Sequence, residues 1–182
     1  MNLLNLPSRD EEGKLQVVIE SPRGSQIKLK YDPKRELFTI SRPLILGLSY
    51  PFDWGFIPGT RAPDGDPLDA MVLLDYPTYP GVVVPSVPIG VVKISQKGDE
   101  GGRENNDRII AVPVQAPRFD GLRDARELPL RAREELEQFF VCAVLFEQKD
   151  LKLLGWDGPS AAEALIRKSV EAARKAAHGA QG

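Results

Sequence analysis

The sequence predicts a mainly β fold that ends in two helices, an α+β arrangement whose strands make a small barrel or sandwich. Three observations predict it. Short apolar runs bounded by Pro, Gly, Asn and Asp recur through the first two-thirds of the chain. Several of those runs alternate apolar with polar residues, the period of a half-buried strand. Beyond Pro129 the apolar spacing changes to that of helices.

Residues 15–20 (Leu-Gln-Val-Val-Ile-Glu) read as a strand that stops at the turn Ser21-Pro22-Arg23-Gly24. In residues 26–31, Ile27, Leu29 and Tyr31 share one face and Lys28 and Lys30 the other. Asp32-Pro33 opens a turn, and residues 36–41 form a third strand around Leu37, Phe38 and Ile40; the three read as a meander. Residues 43–63 read as an irregular stretch whose aromatics, Tyr50, Phe52, Trp54 and Phe56, pack a loop down. Residues 70–74, 81–84 and 89–95 read as separate strands divided by Pro-rich turns, residues 96–106 as an exposed mobile loop, and residues 108–114 as a strand. The first helix starts near Pro129, places Leu136, Phe139, Phe140 and Ala143 at core spacing, and runs to about Gln148. Residues 141–146 are apolar all round, so they are expected to be buried on every side. A capping box, Ser160 with Glu163, opens the second helix, whose apolar face is Ala164, Leu165 or Ile166, and Val170. No repeat or linker interrupts the chain, so residues 1–182 are expected to form a single domain.

Composition removes several function classes. With 24 Lys and Arg against 26 Asp and Glu, the net charge of −2 gives no electrostatic reason to bind nucleic acid or an acidic membrane. Cys142 is the only cysteine and His178 the only histidine, which excludes a disulfide framework, Cys-based zinc sites and His-based acid–base chemistry. The amino terminus lacks an apolar core of signal-peptide length and no later run is long enough to span a bilayer, so a cytoplasmic protein is expected.

The chemistry concentrates in residues 63–71, Pro-Asp-Gly-Asp-Pro-Leu-Asp-Ala-Met. Asp64, Asp66 and Asp69 lie within six residues, Gly65 and Pro67 break any regular element, and an apolar run follows. A turn that projects three carboxylates from the lip of a buried strand suits a hard divalent cation such as Mg²⁺, which takes oxygen ligands and keeps several waters. The same residues also make an ordinary solvated turn on backbone grounds. An EF-hand does not fit: its turn glycine is replaced by Asp69 and its last ligand by Asp75.

The run Asp64-Gly65-Asp66-Pro67-Leu68-Asp69 resembles the signature of the soluble family I inorganic pyrophosphatases. The resemblance extends over Leu3-Leu4-Asn5, Val17-Val18-Ile19-Glu20, Ile27-Lys28, Tyr50-Pro51, Pro88-Ile89-Gly90-Val91, Ile110-Ala111-Val112-Pro113, Leu128-Pro129, Phe139-Phe140 and Gly155-Trp156. It implies an OB-like five-stranded barrel carrying two helices, and Mg²⁺-dependent hydrolysis of diphosphate to two phosphates, with Mn²⁺ as a substitute ion. It also implies a homo-oligomer, commonly a hexamer in bacterial members. Carried over by position, Asp64 and Asp69 bind metal, Glu20 holds metal through water, and Asp66 orients or deprotonates the attacking water. Lys28, Arg42 and Tyr50 contact phosphate.

Other positions depart from the family pattern. Lys30 stands where a second Glu is expected and Trp54 where a phosphate-contacting Tyr is expected. Two metal-binding Asp positions become Gln96 and Asn106, and the following Lys becomes Arg108, which keeps a phosphate-binding charge. Asn106 still offers a carbonyl oxygen to a cation, and Asp99 or Asp107 can compensate. A Tyr-Lys pair falls on Ala143 and Val144 when aligned without gaps from Leu128-Pro129; a shifted register would recover Lys149 instead. Fewer or weaker metals and a less acidic bound water are expected. Two readings stay open on the sequence: a diphosphatase of altered or reduced activity, or a repurposed member, whether a metal-dependent enzyme on a more organic substrate or an inactive pseudoenzyme. An OB-like barrel alone also suggests a nucleic-acid binder, which the neutral charge balance opposes.

Overall fold

The computed structural model describes residues 2–98 and 101–179. In chain order its elements are β1 (Leu15–Ser21), β2 (Ile27–Asp32), β3 (Leu37–Pro43), β4 (Asp53–Ile57), β5 (Leu68–Val72), β6 (Val83–Lys97), β7 (Arg103–Asn105), β8 (Arg108–Pro113), α1 (Leu130–Ala143), β9 (Lys152–Asp157) and α2 (Pro159–Gly179). Five strands close a ring in the order β1-β4-β5-β8-β6, with β6 returning to β1. Only β5 and β8 run parallel within the ring. β7 and β9 extend the sheet from β6, and β2 and β3 pair by themselves as a separate two-stranded ribbon. The five-stranded ring with two helices is the architecture the sequence predicts.

Both faces of the ring strands are buried, which is why residues such as Ile109, Ile110, Ala111 and Val112 form an unbroken apolar run. Alternate residues serve two cores. Ala70, Val72, Ile109 and Ala111 join a cluster closed by Ala162 and Ile166 of α2. Met71, Leu73, Ile110 and Val112 join another, closed by Leu136, Phe139 and Phe140 of α1 and containing Tyr50 and Trp54. The cavity described below lies over this second core.

Several sequence expectations are corrected by the structure. The first three strands are not a meander, because β1 pairs with β4 and β6 and leaves β2 to pair with β3 alone. Residues 53–57 are a fully buried strand, with Trp54 facing the α1 core and Phe56 a cluster with Val18 and Tyr31. Residues 81–84 and 89–95 are not separate strands. Residues 83–84 and 89–95 belong to the single long β6, which pairs with β1 over residues 83–86 and with β8 over residues 86–92, with a bulge between Pro88 and Gly90. Within the expected mobile loop of 96–106, residues 96–97 of β6 pair with β7, and Gln96 and Asn106 are buried.

β9, unrecognised in the sequence, pairs with β6 and ties its Trp156 indole N–H to Glu137 on α1 at 2.6 Å. Helix α1 stops at Ala143, not near Gln148. The chain then turns through residues of positive φ, Gln148 and Asp150, and leaves Leu145 57% and Phe146 83% exposed instead of buried. The capping box is absent. Helix α2 begins at Pro159, its first free N–H groups reach the Gly158 carbonyl, and Glu163 pairs with Arg9. Among the described residues no helix is long and apolar enough to cross a membrane.

Closure of the ring requires the backbones of β1 and β4 to touch at Gly55. A Cβ there would lie 1.9 Å from the Val18 carbonyl oxygen and 2.9 Å from the Ile19 Cα, and both are backbone atoms that cannot swing away. Gly55→Ala is therefore expected to cost at least about 3 kcal/mol, lowering Tm by roughly 10 °C for a chain of this size. A calorimetric scan that leaves Tm unchanged would show that the β1–β4 contact is looser than described.

Candidate active site

The site begins with the way the β2–β3 ribbon sits on the ring. Ser21 Oγ accepts the Leu29 N–H at 2.9 Å and Glu20 Oε1 accepts the Tyr31 N–H at 2.7 Å. Two side chains of β1 thus replace the backbone ladder that a meander would have used. On the ribbon, Lys28 and Arg42 are directly opposite each other. Like charges in that position repel, so the pairing is unfavourable unless an anion lies between them. Among the described residues the Lys28 ammonium has no ion-pair partner. Burial lowers its pKa from the ordinary lysine value; Asp69 opposes the shift, and Arg108 and Arg42 add to it. Burial likewise lowers the Arg42 guanidinium, which forms an ion pair with Glu147.

The acidic turn faces this ribbon. Gly65 adopts φ +88°, a conformation that favours glycine, and the Asp64 carboxylate caps the turn by accepting the Asp66 N–H at 3.1 Å. Asp66 is held by Lys30 Nζ at 2.7 Å. Asp69 lies on β5, beside the start of β8 in the parallel pair, and forms an ion pair with Arg108. The same Arg108 Nη1 donates to the Asn106 side-chain oxygen, and the guanidinium lies over the Trp54 ring at 5.3 Å. Arg108 is thereby fixed from three sides while buried to 8% exposure.

Lys28, Arg42, Tyr50, Trp54 and Arg108 line one cavity together with Phe139, Phe140, Ala143, Val144 and Leu151. Its cationic side comes from the ribbon and β8, its apolar side from α1 and the chain after it. Ala143 and Val144 do border the cavity, as the ungapped reading expects. Lys149 instead lines an adjoining cleft with Asp64, Asp66, Gln96 and Glu104. Tyr50 packs on Phe139 at 5.2 Å, and burial pushes its phenol up to about 12, so it remains a hydrogen-bond donor at any working pH. The Trp54 indole N–H is buried without a hydrogen-bond partner, which leaves a donor for an acceptor entering this cavity.

The donor set suits a hard cation. Burial raises the Glu20 carboxyl to about 7; the Tyr31 N–H opposes that and Asp69 adds to it. Burial also raises Asp64, with the Asp66 N–H opposing and Asp69 and Asp66 adding. A divalent ion would relieve this crowding of oxygen anions. Among the described residues no three His, Cys, Asp or Glu side chains converge on one point. Any ion held here would therefore take few protein ligands and complete its shell with water and substrate oxygens, the habit of Mg²⁺.

Of the sequence candidates, Lys28, Arg42, Tyr50 and Arg108 share a cavity, and Asp64 and Asp66 line the cleft beside it. Asp69 joins the two through Arg108, and Glu20 lies against the ribbon. The Asn106 oxygen, expected to face a cation, is taken by Arg108. The Gln96 amide donates to Glu104 at 3.1 Å, and Asp107 Oδ1 accepts the Ile94 N–H at 2.9 Å. Asp99 lies outside the described residues. Sequence reasoning missed Glu147 and Glu104, both brought in by chain reversals that leave no local signal.

The sequence profile described as inorganic pyrophosphatase matches residues 17–174. An inorganic pyrophosphatase of Nostoc sp. is 35% identical over 172 residues, 94% of this chain and 99% of the relative. One from Geobacillus stearothermophilus is 35% identical over 86% of this chain and 92% of its own length. The crystal structure of inorganic pyrophosphatase from Thermus thermophilus superposes with a TM-score of 0.87 at 33% identity, covering 96% of this chain and 99% of that one. By that profile and those relatives, the chain belongs to the inorganic pyrophosphatase family.

Proposed function

We propose that this chain hydrolyses inorganic diphosphate to two phosphates, with Mg²⁺ as its ion and Mn²⁺ able to replace it. The observation that supports this most directly is the unmatched Lys28 opposite Arg42, a polyanion seat set beside four carboxylates. Lys28, Arg42 and the Tyr50 phenol hold phosphate oxygens as charge moves in the reaction. Arg108 adds positive charge to the same cavity while keeping Asp69 in place. Divalent ions taking Asp64 and Asp69 as ligands, with Glu20 acting through water, would neutralise the diphosphate and acidify a bound water. Asp66 accepts the proton of the attacking water. The water oxygen bonds to one phosphorus, and the bridging oxygen leaves with the other phosphate. The exposed Leu46, Leu145 and Phe146 support a further reading of the chain as a homo-oligomer.

Among the described residues Asp64 makes no ion pair, so Asp64→Asn tests the acidic turn with little disturbance elsewhere. Phosphate release from diphosphate in Mg²⁺ is expected to fall at least ~10²-fold, to the level seen with chelator. Full activity in that variant would remove the turn from the mechanism. Glu147 competes with substrate for Arg42. Glu147→Gln is expected to lower KM for diphosphate about threefold or more, with kcat little changed. A raised KM would mean that Glu147 aims Arg42 at the substrate.

A further inference from the structure

We propose that Lys30 is a resident counter-ion of the acidic turn: its ammonium holds Asp66 and takes up charge that a divalent cation would otherwise neutralise, so that the free protein binds such cations more weakly than its four site carboxylates imply. The inference rests on reading the acidic turn as the metal seat of a diphosphatase. Lys30 follows Lys28 by two residues on β2, so both side chains leave the same face of the ribbon, the face toward the turn. Lys30 Nζ is 2.7 Å from Asp66 Oδ2, and the two side chains are 52% and 58% exposed. Burial therefore does not force this pairing; the sign of the charges does. The same ammonium acts on Glu20 and Asp69.

The charge balance of the cleft points the same way. Arg42 is matched by Glu147, and Arg108 is matched by Asp69. Glu20, Asp64, Asp66 and Glu104 then stand against Lys28, Lys30 and Lys149, so the cleft is close to neutral before any ion enters it. A glutamate at position 30 would change the local charge by two and leave Asp66 without a partner. For a divalent ion within the screening length of that change, affinity is expected to rise by roughly tenfold.

The test measures ion binding without turnover. Metal-free full-length protein is titrated with Mn²⁺ in the absence of substrate, and free Mn²⁺ is followed by electron paramagnetic resonance. Wild type is compared with Lys30→Glu, Lys30→Met and Lys30→Arg, with Lys34→Glu as a control for overall charge at the exposed tip of the ribbon. Lys30→Glu and Lys30→Met are expected to bind Mn²⁺ more tightly, Lys30→Glu by roughly tenfold. Lys30→Arg and Lys34→Glu are expected to match wild type. Lys30→Met separates loss of the ammonium from gain of a ligand, and serves alone where Lys30→Glu does not fold. Identical Mn²⁺ binding in wild type, Lys30→Glu and Lys30→Met overturns the counter-ion role, as does a Lys34→Glu effect equal to that of Lys30→Glu. Diphosphate hydrolysis is assayed separately on wild type. Its absence, with the expected order of Mn²⁺ affinities, removes the diphosphatase reading and leaves the counter-ion role standing.

Discussion

The site depends on two hydrogen bonds that β1 makes with its side chains. Glu20 and Ser21 accept the N–H groups of Tyr31 and Leu29, alternate residues on β2. Had β2 joined the sheet by a backbone ladder, its faces would have been fixed by the ring, with Lys28 and Lys30 as ordinary strand residues. Docked through side chains, the ribbon stands off the ring and overhangs the acidic turn. Glu20 therefore has two roles to reconcile, since the carboxylate that anchors the ribbon is also a candidate for holding a cation. One of its oxygens takes the Tyr31 N–H, and a carboxylate has lone pairs to spare for both.

The electrostatics of the cleft follow from this docking. Lys28 and Arg42 face each other where a fold selected for stability alone would avoid like charges, and a buried Glu20 lies near Asp69. Each of these arrangements is unfavourable by itself. Together they place positive charge near negative charge, and a polyanion entering with a cation would relieve both. Glu147 and Lys30 are the partners that moderate the cost in the free protein, one matching Arg42 and the other Asp66.

Much of this was legible in the sequence, for physical reasons that also mark the limit. The apolar runs of β1, β5 and β8 are legible because local period and composition determine burial. The acidic turn is legible because three carboxylates with Gly65 and Pro67 crowd into one segment. The pairing of strands was not legible, because the docking of β2 through Glu20 and Ser21 leaves the same alternating pattern as a ladder would. Nor was β4, whose Trp54 and Phe56 serve two different cores and so read as loop aromatics. Phe146 looked like core by composition, but the helix that would have buried it ends at Ala143. Glu147 reaches Arg42 from a distant turn, and no spacing rule connects residues so far apart in the chain.

The departures at Asn106 and Arg108 make sense only as a pair. Arg108 is 8% exposed and Asn106 9%, so both lie where an unmatched charge is costly. One guanidinium and one carboxylate, Asp69, are already balanced there, and the neutral Asn106 oxygen completes the coordination of Nη1 without adding charge. An aspartate at position 106 would bring a second buried anion to a single cation. A lysine at position 108 would offer a point charge in place of a planar fork, and would not stack on the Trp54 ring as this guanidinium does. The three residues that look like separate losses in the sequence, Trp54, Asn106 and Arg108, are linked through the Arg108 guanidinium and mutually consistent. A site decaying at random would not be expected to keep its charges matched residue by residue, so the altered half of the cleft is a differently balanced wall of the same site.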